Sequence, residues 1–239
     1  VKDIDIVAVG SGINLALEVS KLLPNKPKVQ VFKTYGTAML RFKNIDIEFV
    51  GARKESYSKE SRNPQVTSGT LEDDQNRRDF TINALALSIN VESFGELLDP
   101  FNGIKDLENK IIKTPLNPDI TYSDDPLRMM RAIRFATQLD FKIEAESLKA
   151  ISRNADRIKI ITNERIAVEL HKILESKMPS TGFLLLEKTG LLKYILPELT
   201  ALKGIDEIEG QRHKDNFYHT LEVLDNICKK TNDLGLLKK

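Results

Sequence analysis

Asp3 and Asp5 open the chain in the stretch DIDIVAV. In an extended strand, residues two apart face the same side. The two carboxylates therefore project together, while Ile4 and Ile6 turn toward a core. Like charges this close repel, so a cation is expected to neutralise them. Mg2+ suits the role, because hard cations take carboxylate oxygens. A two-metal centre needs a further carboxylate. NIDIEFV supplies Asp46 and Glu48, again on one strand face, and alternation alone does not choose between them. The plain alternative for either pair is a solvated strand face.

A second group of polar residues lies in EDDQNRRDFTINALAL. The pattern reads as a helix, with Asp79 and Asn83 as neighbours at i, i+4 and Arg78 adjacent to Asp79. Phe80, Ala84 and Leu87 form its apolar row. One reading is an ion pair plus a capping group. The other is a nucleotide clamp, in which Arg78 holds phosphates while Asp79 and Asn83 bond sugar hydroxyls. A third group is DDPLRMMRAIRFATQL. Pro126 suits the first turn of a helix, which makes Asp125 its N-cap and places Arg128 within pairing reach. Arg128, Arg131 and Arg134 recur every third position. Met129, Met130, Ile133 and Phe135 read as core.

These residues need elements to hold them. DIDIVAV, KVQVF, TAMLRF and NIDIEFV read as strands, and INLALEVSKLL as an amphipathic helix. The stretch from Gly51 to Asn76 is polar, and KESYSKESRNP within it reads as a mobile loop. LLDPFNGIKDLENKIIKTP reads as a turn, a short helix and a short strand. From Asp124 onward the period is helical, with further helices expected over Ala145–Asn154, Asn163–Leu174, Thr181–Thr189 and His219–Thr231. The shift near residue 114 divides an α/β head from an all-helical body.

The 239 residues suffice for one large or two smaller cores. No apolar run approaches 18 residues and no signal segment opens the chain, so neither a membrane partner nor secretion is expected. A lone cysteine, Cys228, excludes an internal disulfide and suits a reducing cytoplasm. The net charge of +1, from 36 basic and 35 acidic residues, neither announces nor excludes nucleic acid.

RRDFTINALAL, preceded by DIDI and followed by LDPFNGIKDLENKIIKT and DDPLRMMRAIRFA, resembles the bacterial class II tRNA nucleotidyltransferases. That family contains the CCA-adding enzymes and the bacterial poly(A) polymerases. The resemblance runs from residue 1 to about residue 200, with the blocks in family order and spacing. It implies an α+β fold, with a polymerase-β-type nucleotidyltransferase head followed by an all-helical neck and body. On this chain that means a head over residues 1–113, a neck with a nucleobase-reading helix over 114–200, and the start of an HD-like domain over 201–239.

The resemblance also implies roles. Asp3 and Asp5 match the metal ligands, and Glu48 the third catalytic carboxylate, with Asp46 as its alternative. Arg78, Asp79 and Asn83 match the phosphate- and ribose-binding residues. Asp125 and Arg128 match the pair that reads the incoming base. Asp124 and Arg131 belong to the same block, although Asp124 stands where the family often has Glu. The reaction implied is template-independent addition of CMP and AMP, from CTP and ATP, to the tRNA 3′ end with two Mg2+ ions. The rivals are a poly(A) polymerase, an A-adding or CC-adding specialist, and a non-catalytic nucleotide- or RNA-binding module.

The base-reading role has its own physical logic. Adenine and cytosine each present an amino group beside an unprotonated ring nitrogen. A carboxylate only accepts and a guanidinium only donates. Asp125 and Arg128 together therefore suit A and C, and meet G and U donor to donor and acceptor to acceptor. Unpaired buried groups of that kind discriminate strongly. Of the other arginines, phosphates or carboxylates of the head are the expected partners.

Two features depart from the family pattern. The glycine-rich segment that precedes D-x-D is missing from a chain that starts at Val1, which suggests a fragment. VGSG, Val9 to Gly12, follows the carboxylates and reads as an ordinary turn. GQRHKDNFYHTLEVLDNI resembles the opening of an HD-type phosphohydrolase domain, but no His-Asp dipeptide follows before Lys239. His213, Asp215 and His219 are therefore expected to serve helix-start and packing roles.

Overall fold

The computed structural model of the protein describes residues 3–58, 61–204, 207–208, 211–212 and 215–233. Its contacts divide it into two units. One holds residues 1–57 and 63–78, and the other holds 58–62 and 79–239.

The first unit is built on a four-stranded sheet. β1 (Asp3–Ala8) leads into α1 (Gly12–Leu22), then β2 (Val29–Phe32), β3 (Thr37–Phe42) and β4 (Ile45–Gly51). The strand order is β1-β4-β3-β2. β1 runs parallel to β4, and the other pairings are antiparallel. A parallel neighbour needs a crossover, and α1 begins it. Ser11 caps that helix by accepting a hydrogen bond from the Asn14 N–H at 3.2 Å. The VGSG stretch is thus a turn into a helix, as its composition suggests.

Alternation gives the sheet two unlike faces. On one, Ala38, Leu40 and Phe49 close a core with Ala16 of α1, and Ile6, Val29 and Ile47 pack around it. The other carries the acidic residues. Ile4 was expected in the core with Ile6 but remains 39% exposed. β1 is an edge strand, so Ile4 has a covering neighbour on one side only.

In the polar stretch over 51–76, where KESYSKESRNP was expected as a mobile loop, the described residues form regular elements. β5 (Arg53–Ser58) pairs with β6 (Ser61–Ser68), and α2 (Leu71–Asn76) follows. Thr70 and Asp73 form a reciprocal capping box at the start of α2. Polarity here signals paired charge rather than disorder. Glu55 is nearly buried and meets Arg53 at 2.9 Å and Arg77 at 3.3 Å.

RRDFTINALAL is not the expected helix. α2 ends at Asn76, a single 3-10 turn spans Thr81–Asn83, and β7 (Ala86–Leu87) follows. Local side-chain bonds divert the backbone. The Asp79 carboxylate accepts the Phe80 N–H at 2.9 Å. The Thr81 N–H donates to the Lys113 carbonyl, and its hydroxyl donates to Asp106 at 2.7 Å. Phe80 and Ala84 are buried, but Leu87 is 65% exposed, so the apolar row breaks.

In the second unit β7 pairs with β8 (Leu97–Leu98). Asp99 accepts the N–H groups of Gly103 and Ile104 at the start of α3 (Gly103–Glu108). β9 (Ile111–Ile112) then pairs in parallel with β10 (Lys142–Ile143). Between them lie α4 (Pro118–Asp124) and α5 (Leu127–Leu139), and after them α6 (Ala145–Asn154) and α7 (Asn163–Leu174). The bounds of α6 and α7 are those the period predicts, and α5 starts one residue after the expected Pro126. α8 (Pro179–Lys188) begins two residues earlier than expected because Pro179 starts it. Two short helices, α9 (Leu192–Ile195) and α10 (Pro197–Ala201), precede α11 (Asn216–Asp233), which is longer than predicted at both ends. Met129, Met130 and Ile133 of α5 are fully buried in this unit's core with Ile151, Ile173 and Leu186. Among the described residues no helix is long and apolar enough to cross a membrane.

Gly12 sets how closely α1 approaches the sheet. A Cβ there would lie 2.7 Å from the Val50 carbonyl carbon and 2.9 Å from that of Phe49. Backbone cannot yield as a side chain can. Gly12→Ala is expected to cost roughly 1–3 kcal/mol of stability, measured as a lowered urea midpoint.

Candidate active site

The β1–β4 register brings the four carboxylates together. Asp5 lies opposite Glu48, and Asp3 opposite Asp46. Directly paired residues share a face, so all four project from the side of the sheet away from α1. Asp3, Asp5 and Glu48 are exposed and Asp46 is half-buried. The two candidates on β4 differ in company. Asp46 meets Arg41 of β3 at 3.6 Å, whereas Glu48 has Met39 as its β3 partner. Among the described residues no three acidic, histidine or cysteine side chains converge into a ready metal cage. The donors are nevertheless all hard oxygens on an open face. Mg2+ keeps several waters and binds through one or two carboxylates plus substrate phosphates. The residues fit that ion.

Arg78 is held from within the same unit. Asp74 is 1% exposed and receives both guanidinium groups that follow it. Its Oδ1 accepts Arg77 Nε at 3.0 Å, and its Oδ2 accepts Arg78 Nη2 at 2.8 Å and Nε at 3.1 Å. Burial pulls the Arg77 guanidinium below its ordinary value, while Asp74 opposes the shift. The Arg78 side chain stays 34% exposed, a fixed cation with a free edge. Sequence reasoning missed Asp74, although its i+3 and i+4 spacing to the two arginines was the available signal.

In the second unit Asp79 is the hub. Its Oδ1 accepts Asn83 Nδ2 at 3.0 Å as well as the Phe80 N–H. Its Oδ2 takes Arg131 of α5 through Nε at 2.7 Å and Nη2 at 2.6 Å. A carboxylate offers about four lone-pair sites, and these contacts use them. Asn83 is exposed. Asp79 and Asn83 therefore meet as predicted, through a turn instead of a helix, with Asp79 facing protein donors.

Around the same helix, Arg134 turns to Glu169 of α7 at 3.2 Å instead of to residues of the expected head. Its guanidinium lies 4.1 Å from the Phe135 ring centroid. Pro126, not Asp125, takes the N-cap position of α5; Asp125 stands one residue earlier, its side chain accepting the Leu127 N–H at 3.2 Å and its carbonyl the Arg128 N–H at 3.0 Å. Asp125 and Arg128 are half-buried, and Arg128 lies one turn before Arg131 on the same helix.

His213 lies outside the described residues. Asp215 caps α11, accepting the Phe217 N–H at 2.9 Å, and its carbonyl takes the His219 N–H. Those two have helix-start roles.

Residues 1–113 match the poly A polymerase head domain, and residues 140–203 match the probable RNA- and SrmB-binding site of polymerase A. The chain belongs to the tRNA nucleotidyltransferase and poly(A) polymerase family. Within it, the chain is 36% identical over 181 residues to the A-adding tRNA nucleotidyltransferase of Aquifex aeolicus, covering 72% of this chain and 22% of that protein. It is 38% identical over 188 residues to the CCA-adding enzyme of Anoxybacillus flavithermus, covering 78% and 46%. A solved tRNA nucleotidyltransferase, complexed with a primer tRNA and an incoming ATP analogue, superposes with a TM-score of 0.69 at 31% identity, over 84% of this chain and 59% of the other. The chain thus spans half or less of the length of these two curated relatives.

The Asp79–Arg131 pair joins the family's RRDFTIN block to α5. A double-mutant cycle on Asp79→Ala and Arg131→Ala, read by urea unfolding, is expected to give a coupling of roughly 0.5–3 kcal/mol. Additive single effects would mean that the contact does not link the two segments.

Proposed function

We propose that this chain carries the nucleotidyl-transfer site of an enzyme that adds CMP and AMP, from CTP and ATP, to the 3′ end of tRNA. The observation that carries the reading is the β1–β4 register, which sets Glu48 beside Asp5 on one open, all-carboxylate face. Family membership supports it, as do relatives named for CCA addition.

In this reading residues 1–113 form the head, 114–200 a neck with the base-reading helix, and 201–239 the start of an HD-like domain, in a cytoplasmic protein. Asp3, Asp5 and Glu48 would hold one Mg2+ ion and the triphosphate would carry a second; their chemistry would be to lower the pKa of the RNA 3′-hydroxyl and to stabilise the leaving pyrophosphate. Glu48 is taken as the third ligand because it lies directly opposite Asp5, with the uncharged Met39 on its other side. Arg78, pinned by Asp74, presents a guanidinium to the triphosphate. Asn83 bonds the ribose, and Asp79 acts by orienting it. Asp125 accepts from the amino group of A or C, Arg128 donates to the adjacent ring nitrogen, and Arg131 fixes their helix through Asp79. The hydroxyl attacks the α-phosphorus in line, and the protein contributes positioning and charge.

A narrower activity, addition of A alone, is favoured by the A-adding relative at 36% identity. The assay that separates these readings supplies labelled ATP and CTP to tRNA trimmed of its 3′ end. CCA addition stops after three nucleotides, an A-adder extends only tRNA already ending in CC, and a poly(A) polymerase adds a long run of A. Asp5→Ala and chelation of Mg2+ are each expected to abolish incorporation, and near-normal activity in that variant would sink the assignment. Asp125→Ala is expected to damage the choice of nucleotide. Mg2+-dependent ATP binding without incorporation by the unaltered chain would make it a binding module.

A further inference from the structure

Charge reverses across the open face of the sheet. Residues 19–45 contain six lysines and arginines (Lys21, Lys26, Lys28, Lys33, Arg41 and Lys43) and no aspartate or glutamate. In a chain with nearly equal numbers of each sign, that is a local basic block. The pairing of β2, β3 and β4 then aims part of it. Lys28 immediately precedes β2, whose Val29 pairs with Leu40, the residue before Arg41. Arg41 lies opposite Asp46, and Asp46 opposite Asp3. One row across the sheet therefore runs Lys28, Arg41, Asp46, Asp3. The next runs Gln30, Met39, Glu48, Asp5. Strands lie about 4.8 Å apart, which sets Arg41 and Lys28 roughly 10 and 14 Å from Asp3. A hollow of about 330 Å3 is lined by Lys28, Gln30, Met39, Leu40, Arg41 and Asp46.

We propose that this hollow binds the phosphate backbone of the RNA strand whose 3′ end reacts, an inference that rests on the function proposed above. The chemistry is that of a phosphodiester. Lys28 and Arg41 are exposed, and the Arg41–Asp46 contact is between largely solvated groups, so it holds the guanidinium weakly. The carboxylates repel phosphate. A strand laid across the face keeps its phosphates on the cations and brings its uncharged terminal hydroxyl to Asp3, Asp5 and Glu48. Gln30 offers an amide to a 2′-hydroxyl, and Met39 an apolar surface to a sugar or base. A nucleoside triphosphate presents phosphates too, but Arg78 already serves them in the proposed mechanism.

The test measures binding of trimmed tRNA by fluorescence anisotropy at several salt concentrations, with the full chain and with Lys28→Gln/Arg41→Gln. Each phosphate contact on a single strand contributes about 0.7 to the slope of log affinity against log salt. The double variant is expected to lose about 1.4 of that slope and to bind about tenfold more weakly at moderate salt. Lys28→Gln alone, which leaves the Arg41–Asp46 contact in place, is expected to lose about 0.7 of the slope, half the loss of the double variant. KM for ATP and CTP at saturating tRNA is expected to stay within about twofold. Unchanged tRNA affinity and slope would overturn the proposal. A raised KM for ATP with unchanged tRNA affinity would also overturn it, by assigning the hollow to the triphosphate. Incorporation by the unaltered chain is read separately. If it adds nucleotides and the variants bind unchanged, the RNA site fails and the enzyme reading stands. If it adds none yet shows the variant-sensitive slope, the RNA site stands and the enzyme reading fails.

Discussion

The parallel pairing of β1 with β4 is the constraint on which the first unit depends. One register decides two things at once, because side chains alternate along both strands. It sends Ile6, Ile47 and Phe49 to the face that α1 covers, and Asp3, Asp5, Asp46 and Glu48 to the other. A slip of β1 by one residue would turn Asp3 and Asp5 toward the core and Ile6 away from it, so apolar packing holds the acidic face in place. The electrostatic cost of gathering like charges is met by a cohesion on the opposite side of the same sheet. Gly12 completes the arrangement by letting the helix approach the β4 backbone.

The second unit solves a different problem, that of holding cations at fixed positions on a helix whose other side is core. Met129, Met130 and Ile133 anchor α5. Arg131 and Arg134 then reach in different directions to Asp79 and Glu169, with Phe135 between them. In the first unit Asp74 does the same for Arg77 and Arg78. Each of these arginines is held by a carboxylate, so its long side chain is restricted to one arrangement.

Legibility in the sequence followed the physics of each segment. Helices α6 and α7 were read to their end residues, and α5 to within one, because burial of one face imposes a 3.6-residue period. The strands of the sheet were read because alternation is equally direct. The pairing of β5 with β6 was not, since the segment is polar, and its nearly buried Glu55 is satisfied by Arg53 and by Arg77 just after α2, which leaves no apolar signature. RRDFTIN misled for a related reason. Its apolar spacing suits a helix, but Asp79 and Thr81 bond the backbone and distant side chains, and those bonds override propensity.

By itself the sequence determined the inventory and its pairing in type: two carboxylates two apart on each of two strands, an arginine–aspartate–asparagine cluster, and an aspartate–arginine pair at a helix start. Local covalent geometry suffices for that, because side-chain direction along one strand or helix follows from the chain alone. Only the tertiary structure decided which groups from different elements meet. It set Glu48 beside Asp5 and gave Asp46 to Arg41. It tied Arg131 to Asp79 across 52 residues, and aligned Lys28 with Arg41 at the end of the acidic rows. Contacts of that kind depend on strand register and on how helices pack, which no single segment contains. In DIDIVAV the spacing of Asp3 and Asp5 is local, and the carboxylate set beside Asp5 comes from more than forty residues away.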